Sequence, residues 1–307
     1  MTEYRAMFDA SMTFLNGGGL RVEAFRVDVP RRDTSEDEIV ALFISSLNLL
    51  MVEHVSLTKL QIIEEPHKGT HAGPSDHSPR GESGQWGRLV DLSHLITEGM
   101  TTMPGLPVPH ITPHLTREAS RQVYAAGTEF TIDVITMGGN TGTYVDSPFH
   151  RYSDGTDLAG VPLARLANLP AVLARTAGSA TRAVDVAALA GLEVAGAAVL
   201  LHTGADRHWG TPAYYEDAPF LTEAGAEWLA AQGAALVGID SANIDEMTPG
   251  GPRPAHSVLL AAGIPIVEHL TGLDQLPPTG ARFTAAPPRV ADFGTFPVRA
   301  FAVLPPN

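Results

Sequence analysis

The amino-acid sequence predicts a mixed α/β domain with a small α+β module ahead of it. Three observations carry that prediction. Short apolar runs, Ala171-Val172-Leu173-Ala174 and Ala198-Val199-Leu200-Leu201, read as buried strands. A helical stretch from Thr222 to Gln232 lies between such runs and the next strand, Ala235 to Asp240. A segment rich in Gly, Pro, Ser and His, 66–87, reads as a linker between a module over 1–65 and a domain over 88–307.

The chain has 307 residues, enough to build the core of one large domain or two smaller ones. Its formal net charge of −14 argues against a nucleic-acid partner, because phosphate binding needs basic patches. There are no cysteines, which removes disulfides, thiolate metal sites and cysteine nucleophiles together. Met1 to Ala10 mix charged and apolar residues and lack the apolar core of a signal peptide. No apolar run is long enough to span a bilayer. The expectation is a cytoplasmic protein with a small-molecule substrate and no membrane partner. A homo-oligomer is also expected, since a module of this size is marginal alone and would dock on the main domain or on a second chain.

Within the module, recognisable structure begins at Met12. Phe25, Val27 and Val29 alternate with Arg26 and Asp28, a strand pattern that ends at Pro30. Ser35 and Glu38 have capping-box spacing, and Ile39, Leu42, Phe43 and Leu50 share the following helix face. Val55, Leu57 and Ile62 indicate a further strand. Gly17-Gly18-Gly19 precedes a strand rather than a helix, so it reads as a turn and not as a phosphate loop. His67, His71 and His77 fall in the linker and read as loop residues rather than a metal cluster.

The main domain opens on Leu89-Val90-Asp91-Leu92-Ser93-His94. Pro104, Pro107, Pro109 and Pro113 keep the next segment extended or irregular, and leave open whether His110 and His114 face a pocket or solvent. Phe130 to Val134 alternates as a half-buried strand. Then comes Gly138-Gly139-Asn140-Thr141-Gly142-Thr143-Tyr144-Val145-Asp146-Ser147-Pro148-Phe149-His150. A carboxylate and an imidazole held four apart by a proline suit a metal ligand and a proton carrier. Later, Thr222 is placed to cap its helix and Gly233 to stop it. Glu268 ends an apolar strand, where a buried carboxylate needs a partner.

The stretch around Asp146 resembles the signature of the cyclase family, His-x-Gly-Thr-His-x-Asp-x-Pro-x-His, a family that includes bacterial kynurenine formamidase and isatin hydrolase. Gly142, Thr143, Asp146, Pro148 and His150 match in register, whereas Asn140 and Tyr144 stand where the signature has its two leading histidines. The opening Asp-Leu-Ser-His strand and the run Leu201-His202-Thr203-Gly204 with Trp209 are similar to the family as well. The resemblance covers roughly Leu89 to Leu304. It implies a swivelling β/β/α, β-barrel-like fold. It also implies that Asp146, His256 and Glu268 form one metal site, with Asn140 as a weak further ligand.

With both leading imidazoles absent, the expectation is one zinc or manganese ion, or none. The first functional reading is hydrolysis of a cyclic or aryl amide, lactam or lactone. Metal-activated water would be the nucleophile, His150 the general base and Tyr144 a hydrogen-bond donor to the oxyanion. A second reading is a metal-free acid–base cyclase or dehydratase using Tyr144, Asp146 and His150. A third is an inactive relative that binds a small molecule. Phe149, Tyr152 and Trp209 are candidates for an aromatic pocket. No nucleophile elbow, His-Glu-x-x-His helix or phosphate loop is present.

Overall fold

The computed structural model describes residues 2–15, 17–47, 52–66 and 87–305. The chain divides into two compact units, Met1–Pro79 and Arg80–Asn307. The expected linker lies outside the described residues except at its two ends, and so do His67, His71, His77 and Leu50.

The first unit is a three-stranded antiparallel sheet with one helix. Its strands are β1 (Thr2–Phe14), β2 (Gly19–Val29) and, after helix α1 (Glu36–Ser46), β3 (Val52–Pro66). The sheet order is β2-β1-β3, so the central strand begins ten residues before Met12, where the sequence reading placed the first structure. The signal was present: Ala6, Phe8, Ala10 and Met12 alternate into the core. The glycine run turns β1 into β2, with Gly17 at φ +83°. Ser35 and Glu38 form the expected reciprocal cap on α1, at 3.3 Å and 3.1 Å. The helix lays Ile39 and Phe43 on the sheet, where the Phe43 ring meets Phe8 at 5.2 Å and Phe25 at 4.8 Å.

The second unit is mixed α/β, and its main sheet curls into an open half-barrel. In chain order it contains β4 (Leu89–Asp91), β5 (His110–Leu115), α2 (Arg117–Ser120), β6 (Ile132–Thr136), β7 (Tyr144–Asp146) and β8 (Leu169–Arg175). There follow β9 (Ala183–Val184), α3 (Val186–Leu189), β10 (Ala198–His202), β11 (Phe220–Leu221), α4 (Glu223–Ala231) and β12 (Leu236–Ile239). The unit ends with α5 (Pro254–Ala261), β13 (Ile266–Glu268), β14 (Arg282–Thr284), β15 (Thr295–Pro297) and β16 (Phe301–Val303). The nine-stranded sheet has the order β15-β7-β13-β12-β10-β8-β14-β16-β4. Its centre, β8, β10, β12 and β13, is parallel, and antiparallel strands flank it on both sides.

The central strands are continuous apolar runs because both faces are covered. Val199, Leu201, Val237, Ile239 and Ile266 face a core shared with Leu229 of α4 and Leu259 of α5. Leu200, Leu236, Val267 and Val145 face the other core, with Phe283 and Leu270. Polar residues close the carboxyl ends of three parallel strands: Thr203 just after β10, Asp240 just after β12, and Glu268 as the last residue of β13. Ligand sites in parallel sheets gather at such carboxyl ends.

The alternation over Phe130 to Val134 does mark a strand region, but β6 is not half-buried. It pairs with β5 alone, and every residue of β6 is exposed. Among the described residues no helix is long and apolar enough to cross a membrane.

Candidate functional site

Strands β7 and β13 pair antiparallel, with Glu268 opposite Tyr144 and Ile266 opposite Asp146. Period-two alternation therefore puts Tyr144, Asp146 and Glu268 on one face, and Val145 and Val267 go to the core behind. Helix α5 packs on the site side, and its first turn carries His256. The short turn Pro148–His150 then brings His150 back over Asp146.

The ring nitrogens of His256 are set by different partners. Nδ1 lies 2.6 Å from Asp245 Oδ2, and the same carboxylate accepts from the backbone N–H groups of Ala255 and His256 at 2.6 Å and 3.1 Å. Asp245 thus caps the start of α5 and orients its histidine in one contact set. The other nitrogen, Nε2, lies 3.7 Å from both Asp146 Oδ2 and Glu268 Oε1. Those separations are too long for hydrogen bonds. Asp146 Oδ2 is buried and has no hydrogen-bond partner. Burial opposes charge on His256, but the carboxylates of Asp146, Asp245 and Glu268 outweigh it, and its pKa is pushed up to about 10. Burial, reinforced by the charge of Asp146, pushes Glu268 up to about 7.

Two buried acids aimed at one imidazole nitrogen, with one acid oxygen unpartnered, fit a divalent cation. Asp146, His150 and His256 also each offer a ligand atom within 4.8 Å of the others. Glu268 approaches the same point but has its own donors, the Ile244 N–H at 2.6 Å on Oε1 and the Tyr144 hydroxyl at 2.5 Å on Oε2.

Tyr144 is a proton-bearing phenol here. Burial first, then the charges of Glu268 and Asp146, hold its pKa well above 10. His150 is exposed, and its Nδ1 lies 2.7 Å from Thr295 Oγ1. The Thr295 hydroxyl donates its one hydrogen to Asp146 Oδ1. It can therefore only accept from His150, which places the ring proton on Nδ1 and leaves the Nε2 lone pair for a reactant.

The sequence-selected residues Asn140, Tyr144, His150, His256 and Glu268 line one cavity of about 390 Å³, with Asp146 buried directly behind it. The aromatic candidates do not line this cavity. Trp209 stacks on His94 at 3.8 Å, Tyr152 donates to the Ser257 carbonyl at 2.9 Å, and Phe149 is not among its lining residues. His110 and His114 stand exposed on β5, where His110 contacts Glu98 at 3.1 Å. Sequence reading missed Asp245 and Thr295, and also Arg151, Asn243 and Arg253 in the cavity wall. Asp245 had a local signal, an acid shortly before a histidine-bearing helix start. Thr295 had none, because it reaches Asp146 only through the pairing of β15 with β7.

A second group of histidines lies beside the site. His94 and His269 each have a buried Nε2 with no partner. His269 Nδ1 meets the Tyr214 hydroxyl at 2.8 Å. Burial depresses both pKa values, to about 4 for His94 and about 3 for His269. Thr143 ties this group to the signature loop, accepting from the His94 N–H at 3.0 Å and donating to the His269 carbonyl.

The family model described as a cyclase matches residues 90–246. Kynurenine formamidase of Geobacillus thermodenitrificans is 28% identical over 218 residues, which cover 69% of this chain and 95% of that protein. Among solved structures, isatin hydrolase A from Labrenzia aggregata, bound to benzyl benzoate, superposes with a TM-score of 0.60 at 22% identity. That match covers 71% of this chain and 93% of the other. A potential metal-dependent hydrolase with cyclase activity matches with a TM-score of 0.58 at 25% identity, covering 70% and 97%.

Proposed function

The chain belongs to the cyclase family, and on that premise we propose that it hydrolyses a cyclic or aryl amide, lactam or lactone. One observation carries the reading: Asp146, His256 and Glu268 converge around an unpartnered carboxylate oxygen, with His150 beside them. Asp146, His256 and Glu268 would hold one divalent ion, with His150 close enough to share it and Asn140 the remaining candidate. Bound there, such an ion would polarise the scissile carbonyl and acidify a water.

The chain's own residues do the rest. Asp245 fixes the His256 ring so that Nε2 faces the two acids. Thr295 holds the proton of His150 on Nδ1, so Nε2 takes the proton of the attacking water and returns it to the leaving group. Tyr144 keeps its hydroxyl proton near neutral pH, and an oxyanion in the cavity competes with Glu268 for it. Asn140 and Tyr144 in place of the two leading histidines limit the site to one ion.

The metal-free acid–base reading is favoured by one contact, the 2.5 Å bond between Tyr144 and Glu268, which puts a phenolic proton at the cavity wall. Turnover of aryl amides, lactams and lactones before and after chelation tests both. Loss on chelation and recovery with zinc or manganese is expected. Full activity after chelation replaces the hydrolase reading with the metal-free one, and absence of any turnover favours the binding-protein reading. A self-associated assembly and a separate module over residues 1–65 belong to the same proposal. The first is supported by the apolar residues Ile111, Ile132, Val134 and Ile135 exposed on the β5–β6 arm.

A further inference from the structure

The cavity grades from buried to open. Tyr144, His256 and Glu268 are 3%, 6% and 1% exposed, whereas Arg151 is exposed and Arg253 half-buried. The chain has 34 acidic residues against 20 basic ones, so an arginine has carboxylates within easy reach. Arg121, Arg182 and Arg299 each take one. Among the described residues neither Arg151 nor Arg253 forms an ion pair.

Both are held by neutral partners instead. Arg253 Nη1 donates to the backbone carbonyls of Glu246, Gly251 and Pro252 at 3.4, 3.3 and 3.1 Å. The Glu246 carboxylate, which could have neutralised it, pairs with Arg182 at 2.8 Å. Arg151 donates from Nε to Ser257 Oγ at 3.3 Å and lies over the Tyr152 ring, 5.3 Å from its centroid. Each side chain is positioned while its charge stays uncompensated. A guanidinium fixed in this way is preorganised for a carboxylate. The two acids at the buried end would repel an anion there, so the electrostatics sort a ligand by direction.

We infer that the substrate carries a carboxylate in addition to the bond being broken, and that Arg151 and Arg253 bind it at the open end of the cavity. The inference rests on the hydrolase reading above and deepens it to carboxylate-bearing aryl amides. Arg151 and Arg253 are then specificity-determining residues, and the carboxylate orients the scissile carbonyl toward Asp146, His256 and His150.

The test uses a matched pair, 2-formamidobenzoate and 2-formamidobenzamide, with the full-length protein. The wild type should favour the benzoate by about 10-fold or more in kcat/KM, through KM. Arg253→Gln and Arg151→Gln should each cut that preference several-fold, and Arg253→Lys should restore part of it. Arg151 is exposed, so its variant keeps the test valid if Arg253→Gln misfolds. Equal turnover of the pair by the wild type, or equal loss on both compounds in the variants, overturns the inference and leaves the hydrolase reading standing. If neither compound is turned over, calorimetry with 2-aminobenzoate and 2-aminobenzamide decides. Tighter binding of the benzoate that is lost in the variants keeps the anion site while the hydrolase reading falls. Equal or absent binding overturns the inference.

Discussion

Two pairs of histidines sit side by side in this protein and behave in opposite ways. His150 and His256 lie among carboxylates, while His94 and His269 lie among Trp209, Tyr144 and Tyr214. Burial is shared by His256 and His269, yet one pKa is pushed up to about 10 and the other down to about 3. The residue type and the degree of burial are the same, so the neighbours decide. Acids make His256 a group that holds charge or a cation. Burial that adjacent acids do not outweigh makes His94 and His269 neutral packing elements that support the signature loop.

The strongest way to break that contrast is His256→Ala. It should remove bound metal and turnover together, since Asp146 and Glu268 are left facing each other with no imidazole between them. Metal content and rate measured on the same preparation check this, and retention of either would contradict it. His150→Ala comes next. Turnover should fall by about 100-fold or more while bound metal is largely retained, because this ring acts chiefly as proton carrier. Circular dichroism and metal content separate this outcome from misfolding.

Asp245→Asn should act through His256, lowering metal affinity by about 10–100-fold without touching the cavity wall. Titration with a competing chelator reads that effect. The smallest effect belongs to the neutral pair. His94 has its pKa lowered by folding, so below about 6.5 the unfolded chain binds a proton that the folded protein refuses. The stability this ring contributes is fully present above that pH and falls as pH drops toward the folded value of about 4. Urea midpoints at pH 7 and pH 4.5 should therefore differ less in His94→Gln than in the wild type. An unchanged difference would show that His94 is not held neutral.

Much of the site was legible because it is local. Tyr144, Asp146 and His150 share one loop and turn, and their spacing survives folding as spacing. Glu268 was legible because it ends a strand whose apolar pattern is plain, whereas His256 was marked out only by the resemblance to the cyclase family. Asp245 and Thr295 were not, since their roles exist only after α5 closes over Asp245 and β15 pairs with β7. The arm misled for a related reason. Alternation in Phe130 to Val134 implies one covered face, but β6 joins no larger sheet, so its pattern alone does not bury it. Strand β1 went unread because Arg5 and Asp9 break its apolar sequence, although they fall on the face opposite Ala6, Phe8 and Ala10.

The most direct measurement is elemental analysis of the native protein, purified without added metal or chelator, paired with its turnover rate. About one divalent ion per chain, lost together with activity in His256→Ala, is the expected result. Two ions per chain, or full activity with none, would contradict the single-ion site built on Asp146, His256 and Glu268.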